Sequence, residues 1–248
     1  MRGSSPRMTA EQAAPATKEM GREMRTENIR VKLRDGEMGA YIAYPDKKPV
    51  GAVIAIMEIW GVNDTMRHHA HEFAEAGFVC LVPDLFWRQE PGVELSDKNP
   101  DHVQKAFDLY YEFDYDLGVR DMEDVWHHLE KIPECNGKVG AVGYCLGGKL
   151  CYLMCCRTDI DCAVAYYGTY IEHRIKEVKN LHRPFVLHMA MKDRWVQAEV
   201  NDIAIALRNM LLSSDAADHA RQVDAIMTSR KAIDDILVQM KDALANPK

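Results

Sequence analysis

Residues 136–148 read NGKVGAVGYCLGG, and this stretch decides the fold. The apolar run KVGAVGYC predicts a buried strand, and the following LGGKLCYLMCCR predicts a helix. Between them, residues 143–147 match the pattern Gly-x-nucleophile-x-Gly with Cys145 at its centre, where esterases usually carry serine. A thiol in such a strained elbow lies at a helix N-terminus, whose dipole favours the thiolate. The backbone N–H of Leu146 would then point at a developing oxyanion. A buried cysteine beside a tight glycine turn is the alternative interpretation.

Strand and helix patterns alternate on both sides of this elbow. NIRVKL and AYIAY flank the turn DGEMG and predict an antiparallel hairpin. Asp64 is the predicted cap of a helix that Gly77 ends. Such alternation indicates βαβ units, a largely parallel sheet and right-handed crossovers. The other predicted strands are GAVIAIME, FVCLVPDL, DCAVAYYG and RPFVLHMAM, and the other predicted helices cover about 100–116, 117–131 and 172–179.

Composition restricts the class of protein. The 248 residues are 47% hydrophobic and 28% charged, which is typical of a globular chain. No apolar run approaches the roughly 20 residues that span a bilayer. With a net charge of −7 and no Lys/Arg stripe, nucleic acid is not an expected partner. We predict no membrane association, no cofactor and no metal, and a homodimer remains open.

The seven cysteines indicate the compartment. Their number is odd and no signal-peptide pattern precedes them, so we expect free thiols in a reducing cytoplasm. A zinc site is the rival interpretation. Cys151, Cys155 and Cys156 have helical spacing in an apolar stretch without a Cys-x-x-Cys pair, which favours buried small hydrophobic residues.

The two ends of the chain differ from its middle. Residues 1–27 are polar and are interpreted as an N-terminal arm, disordered or in part a cloning remnant. Residues 28–248 are expected to form one α/β domain. Its last part, about 197–248, has helical patterning with no convincing strand.

An elbow nucleophile needs an acid and then a base later in the chain. Asp193 directly follows the predicted strand VLHMAM, where an orienting acid belongs, although a solvated turn would also place an aspartate there. His219 is the only histidine after it and is the candidate base. The alternative is a histidine on a polar helix or loop. His68, His69 and His71 fall on a predicted helix and are interpreted as its solvated face.

Together these residues resemble the dienelactone hydrolase family of α/β-hydrolases. The resemblance runs from about residue 28 to residue 196 and rests on several separate stretches in order. These are MEIWGVND (57–64), PDLFWRQEPG (83–92), NGKVGAVGYCLGG (136–148), AVAYYG (163–168) and HMAMKDRWV (188–196). The resemblance implies an α/β-hydrolase fold, with a mostly parallel central sheet and helices on both faces.

The resemblance also assigns roles. It implies Cys145 as nucleophile, Asp193 as acid and Glu58 as the carboxylate that takes the thiol proton when substrate binds. The backbone N–H groups of Ile59 and Leu146 would form the oxyanion hole. Arg88 matches the family as a partner of carboxylates or a structural arginine, and Arg221 as a further family arginine. Trp60, Phe86, Trp87, Tyr144 and Tyr167 would line an aromatic pocket or belong to the core.

The chain departs from the family pattern in two places. Family members hold the substrate carboxylate with an Arg and a Tyr, at positions that are Val103 and Phe107 here. The approach to His219 also lacks the usual strand and following aromatic residue. The leading interpretation is a hydrolase of small lactones or esters acting through a cysteine acyl-enzyme. The alternatives are a binding or regulatory module with weak or lost turnover and, less favoured, a redox-responsive thiol protein.

Overall fold

The computed structural model describes residues 24–188. The predicted helical segment 197–248 and most of the predicted arm lie outside these residues. So do Asp193, His219 and Arg221. The first strand begins at Thr26, one residue before the predicted end of the arm.

Within residues 24–188, seven strands form one sheet in the order β1-β2-β4-β3-β5-β6-β7. The hairpin pair β1–β2 and the pair β2–β4 are antiparallel, and every other neighbouring pair is parallel. The strand β3 is buried along its whole length, as its uninterrupted apolar run predicts. The strands are β1 (Thr26–Leu33), β2 (Gly36–Ala43), β3 (Gly51–Ile56), β4 (Phe78–Pro83), β5 (Val139–Tyr144), β6 (Cys162–Tyr166) and β7 (Phe185–His188).

The helices begin close to the predicted positions, but the helix predicted over about 100–116 ends at Tyr111. They are α1 (Asp64–Glu75), α2 (Pro100–Tyr111), α3 (Tyr115–Leu129) and α4 (Leu146–Arg157), with a 3-10 helix at Ile171–Asn180. The prediction that Asp64 caps α1 was wrong. Asn63 is the N-cap, and its side chain accepts a hydrogen bond from the Met66 N–H, while Asp64 is the first helical residue.

The helices cover both faces of the sheet. The connections β3–α1–β4 and β5–α4–β6 run in opposite directions from the middle of the sheet. Because such crossovers are right-handed, α1 and α4 lie on opposite faces. The helix α3 packs against α4 and therefore covers the same face. This arrangement confirms the predicted fold class.

The helix α4 is buried on nearly every side. Cys151, Cys155 and Cys156 are at most 4% exposed, as the interpretation as small core residues requires. All seven cysteines are free thiols. Within residues 24–188, no group of His, Cys, Asp and Glu side chains is arranged to hold a metal ion. The helices of the same residues are too short or too polar to cross a bilayer.

Candidate active site

Cys145 sits in a strained turn between β5 and α4. Its backbone has φ 52° and ψ −109°, a conformation that L-residues rarely adopt. The turn is possible only with glycine at positions 143 and 147, because the neighbouring backbone leaves no room for a side chain there. A Cβ on Gly147 would lie 2.4 Å from the Ile56 carbonyl oxygen, and one on Gly143 would lie 2.1 Å from the Gly147 carbonyl oxygen. The strand–elbow–helix geometry predicted from residues 143–147 is therefore present.

The elbow lies where the sheet connections reverse direction. The strands β3 and β5 are neighbours, and their crossovers leave toward opposite sides, so a crevice opens at their carboxyl ends. Glu58 follows β3, Cys145 follows β5, and residues 167–169 follow β6. The Gly147 N–H donates to the Met57 carbonyl at 3.2 Å and joins the elbow to the end of β3.

Cys145 carries a neutral thiol at neutral pH. Burial first, and then the negative charge of Glu58, raise its pKa from 9.0 to about 11. Hydrogen bonds from the Leu146 N–H and the Thr169 hydroxyl act in the opposite direction, but they do not outweigh these two causes. Glu58 and Cys145 are thus close enough for their charges to interact, as the predicted pairing requires.

Glu58 is itself a perturbed carboxyl group. Burial raises its pKa above the ordinary value, while a hydrogen bond from the Tyr167 hydroxyl and the nearby His69 lower it. The charge of Asp97 raises it further. A partly buried carboxylate with a raised pKa beside a thiol is a suitable proton acceptor.

The two proposed oxyanion-hole groups lie beside the same crevice. Ile59 is 7% exposed and Leu146 is fully buried. Neither backbone N–H donates to a backbone carbonyl within residues 24–188. Both donors are therefore candidates for a developing oxyanion, and this role stays a prediction.

A cavity of about 390 Å³ opens next to Glu58. Trp60 lines it, as expected of a pocket residue. The remaining lining residues are polar or charged apart from Leu95. They are Asn63, Asp64, Thr65, Ser96, Asp97 and Lys98.

Arg88 forms ion pairs with protein carboxylates. Its guanidinium donates to Asp121 at 2.6 and 3.1 Å and to Asp35 at 2.8 Å. Trp87 also donates to Asp121 through its indole N–H, at 2.9 Å, and Phe86 is fully buried. The contacts of Arg88 agree with its predicted role as a partner of nearby carboxylates. The burial of Phe86 agrees with the interpretation of that residue as part of the core.

Tyr144 stacks between two other rings. Its centroid lies 4.9 Å from that of His69 and 5.4 Å from that of Tyr166, with nearly parallel planes. Its neighbour Tyr167 is 37% exposed. The sequence interpretation of His69 as a solvated helix residue was therefore incomplete, because the side chain reaches the site from α1.

Two hydroxyl side chains were missed from the sequence. The Tyr110 hydroxyl donates to the Thr169 hydroxyl oxygen at 2.9 Å, and Thr169 contacts Cys145. Tyr110 belongs to α2 and Thr169 follows β6. No local pattern joins it to a threonine 59 positions away.

The fold and the elbow define an α/β-hydrolase. The family model of the dienelactone hydrolase family matches residues 38–225. A carboxymethylenebutenolidase of Pseudomonas putida is 37% identical over 176 residues, which cover 71% of this chain and 75% of that protein. Carboxymethylenebutenolidase 1 of Cupriavidus pinatubonensis is 34% identical over 181 residues, 73% of this chain and 77% of that protein. The chain belongs to the dienelactone hydrolase family and is a hydrolase of that type.

A solved structure shows the same fold. It is that of a dienelactone hydrolase-like promiscuous phosphotriesterase from metagenomic libraries, with a TM-score of 0.61 and 16% identity. The match covers 85% of this chain and 98% of that one. At this identity the likeness concerns the fold alone.

Proposed function

We propose that the protein hydrolyses a small lactone or ester through a Cys145 acyl-enzyme, with a carboxymethylenebutenolide as the first candidate substrate. The observation that carries this proposal is the strained Cys145 elbow beside the partly buried carboxyl group of Glu58, whose charge acts on the thiol. The names of the two relatives at 34% and 37% identity support the substrate class.

The first step is transfer of a proton within the crevice. In the resting state the thiol is neutral and Glu58 holds the negative charge. When substrate enters, the S–H bond breaks, the proton moves to a Glu58 oxygen, and the charge moves to sulfur. Because only one negative charge is present before and after, the repulsion that raises the Cys145 pKa does not oppose this transfer.

The thiolate then attacks the carbonyl carbon. The new S–C bond places negative charge on the carbonyl oxygen, which the Ile59 and Leu146 N–H groups would hold. When the carbonyl re-forms, the ring C–O bond breaks and the leaving oxygen takes the proton that Glu58 holds, which restores the Glu58 carboxylate. Water, activated by His219 with Asp193 as its orienting acid, would hydrolyse the thioester and restore the thiol.

The substrate carboxylate needs a different partner from the family's usual pair. Val103 and Phe107, at the two corresponding positions on α2, offer no charge or hydrogen-bond donor on their side chains. Arg221 is our candidate for this contact.

Steady-state kinetics test the proposal. We would measure turnover of cis- and trans-dienelactone and p-nitrophenyl acetate by the wild type, Cys145→Ala and His219→Ala, with the exposed-thiol variant Cys162→Ala as control. We expect lactone turnover to be lost in the first two variants and kept in the control. Full activity in Cys145→Ala would overturn the proposal, and loss only in Cys145→Ala would remove His219 as the base.

A burst experiment separates hydrolysis from the binding-module alternative. An acyl-enzyme that forms but does not turn over releases one equivalent of p-nitrophenol and then stops. We expect continued release by the wild type. A burst without turnover on any substrate would favour a module in which the fold is kept and the base is lost.

A further inference from the structure

Two segments of the chain form the cavity beside Glu58, and hydrogen bonds join them. One is the stretch after β3 with the first turn of α1, and the other is the loop before α2. The Leu95 N–H donates to the Trp60 carbonyl at 2.8 Å, and the Asn63 side-chain amide donates to the Leu95 carbonyl at 3.3 Å. The Ser96 N–H donates to Nδ1 of His102 at 3.2 Å and fixes the loop to α2. The protein's own hydrogen bonds therefore set the spacing of the two walls.

The cavity adjoins the proposed reacting pair. Glu58 lines it, and the residue before Glu58 is tied to the elbow, since the Gly147 N–H donates to the Met57 carbonyl at 3.2 Å. The volume of about 390 Å³ lies within the range of small-molecule sites. A substrate held at Cys145 would therefore place its non-reacting part in this cavity.

The charges of the walls disfavour a carboxylate. Of the lining residues that the structure describes, Glu58, Asp64 and Asp97 are acidic and only Lys98 is basic. A ligand carboxylate would thus meet three negative groups and one positive group, and like charges repel. An uncharged or a cationic ligand suits these walls better.

Hydrogen-bond capacity distinguishes an uncharged ligand from a cation. The Asp64 and Asp97 carboxylates only accept hydrogen bonds, and the Lys98 ammonium only donates them. The Thr65 and Ser96 hydroxyls do both. The Ser96 oxygen accepts from the Lys98 N–H at 3.3 Å, which leaves the Ser96 proton for another partner. A cation offers donors alone and cannot pair with Lys98, whereas a ligand hydroxyl both donates and accepts and can pair with each of these groups.

Trp60 and Leu95 complete the lining with apolar surface on which the carbon skeleton of a small ring can pack. We propose that the cavity binds the non-reacting part of the substrate, and that this part carries hydroxyl groups and no carboxylate. Among the small lactones and esters of the proposed function, this ranks a polyhydroxylated lactone above a carboxymethylenebutenolide, which carries a carboxylate. The inference rests on the proposed function, because the cavity adjoins the Cys145–Glu58 pair whose reaction that function assigns.

Three lactones test the proposal. D-glucono-δ-lactone carries hydroxyl groups, δ-valerolactone is the same ring without them, and cis-dienelactone carries a carboxylate. We would measure kcat/KM from acid release at constant pH and subtract the spontaneous rate. Each value is then divided by the hydroxide-catalysed rate constant of the same lactone, so that intrinsic reactivity cancels. We expect the wild type to prefer D-glucono-δ-lactone to δ-valerolactone by roughly tenfold after this correction.

Asp97→Asn should affect the three lactones differently. It removes a charged acceptor, so kcat/KM for D-glucono-δ-lactone should fall roughly tenfold through a higher KM. It also removes a negative charge, so kcat/KM for cis-dienelactone should rise about threefold. Turnover of δ-valerolactone should stay nearly unchanged and measures any effect that Asp97 exerts through the charge of Glu58. Asp101→Asn, at an exposed acid in the first turn of α2 outside the cavity, is the matched control that should change nothing.

Equal corrected turnover of the hydroxylated and the unsubstituted lactone by the wild type would overturn the inference. A change of the same size for all three lactones in Asp97→Asn would overturn it as well. Acetylcholine that is hydrolysed faster than ethyl acetate by the wild type, with the preference lost in Asp97→Asn, would assign the cavity to a cation and would also overturn it.

The variant Cys145→Ala separates this inference from the proposed function. Lost turnover in Cys145→Ala, together with unchanged lactone preferences in Asp97→Asn, would refute only the role of the cavity. Retained turnover of all three lactones in Cys145→Ala would refute the proposed function.

Discussion

Replacing Arg88 by methionine should lower the free energy of unfolding and leave substrate binding unchanged. The substitution removes both hydrogen bonds that the guanidinium donates to Asp121 and the one to Asp35. The Asp121 side chain is only 5% exposed, and it would keep a single donor, the Trp87 indole N–H at 2.9 Å. A buried carboxylate would thus lose its charged partner.

The magnitude follows from the burial of the two groups. Removing one partner of a buried ion pair costs about 3–5 kcal/mol. The Arg88 side chain is 27% exposed, so water can replace part of its contact, and the loss should lie near about 3 kcal/mol. The half-exposed pair with Asp35 adds at most about 1 kcal/mol. Arg88→Lys keeps the charge but loses the two-pronged contact, so its effect should be intermediate.

Urea denaturation and lactone kinetics on the same samples decide the point. Lys105→Met is the matched control, because Lys105 pairs with Glu90 at the surface and should contribute less than about 1 kcal/mol. We expect Arg88→Met to lower the free energy of unfolding by about 3 kcal/mol with KM unchanged. Unchanged stability with a raised KM would refute this reasoning and assign Arg88 to the substrate.

Three further predictions concern the elbow, the reacting pair and the first helix cap. Gly147→Ala should cost about 3 kcal/mol in urea denaturation, because its Cβ would lie 2.4 Å from a backbone oxygen, whereas Gly39→Ala has nothing within 4 Å and should be neutral. Glu58→Gln should speed labelling of Cys145 by methyl methanethiosulfonate at about pH 8, because the negative charge that helps to raise the thiol pKa is gone. The same substitution should slow lactone turnover, because the proton acceptor is also gone. Equal slowing of labelling and turnover would contradict this prediction. Asn63→Ala should lower the free energy of unfolding by about 1 kcal/mol, because the N-cap hydrogen bond of α1 is lost. An unchanged melting temperature would show that this cap does not stabilise the protein.

Sequence patterns predicted correctly those elements whose burial depends on residues that are adjacent in the chain. The uninterrupted apolar run of β3, the alternation in the first hairpin and the all-round apolar surface of α4 each predict their own environment, because period and composition are properties of neighbours in sequence. The elbow at Cys145 was predictable for the same reason, since its glycines lie within a few residues of it.

Contacts between distant segments were not predictable. Arg88 meets Asp121 across 33 positions, and Tyr110 meets Thr169 across 59. The packing of the loop after β4 against α3 brings the first pair together, and the packing of α2 against the loop after β6 brings the second pair together. The cap of α1 shows a smaller failure, because adjacent Asn63 and Asp64 are both good cap residues and the path of the chain after β3 decides between them.

The pKa of Cys145 shows how a correctly predicted local effect can be outweighed by the surrounding structure. Its place at the N-terminus of α4 favours the thiolate, but such an end contributes only about 0.3–1 kcal/mol at ordinary sites. Burial and the Glu58 charge raise the pKa from 9.0 to about 11, a difference worth about 3 kcal/mol, and they prevail. At neutral pH roughly one molecule in ten thousand then holds a thiolate. A thiol kept neutral resists oxidation, and its reactivity depends on a nearby proton acceptor, which is Glu58 in the function that we propose.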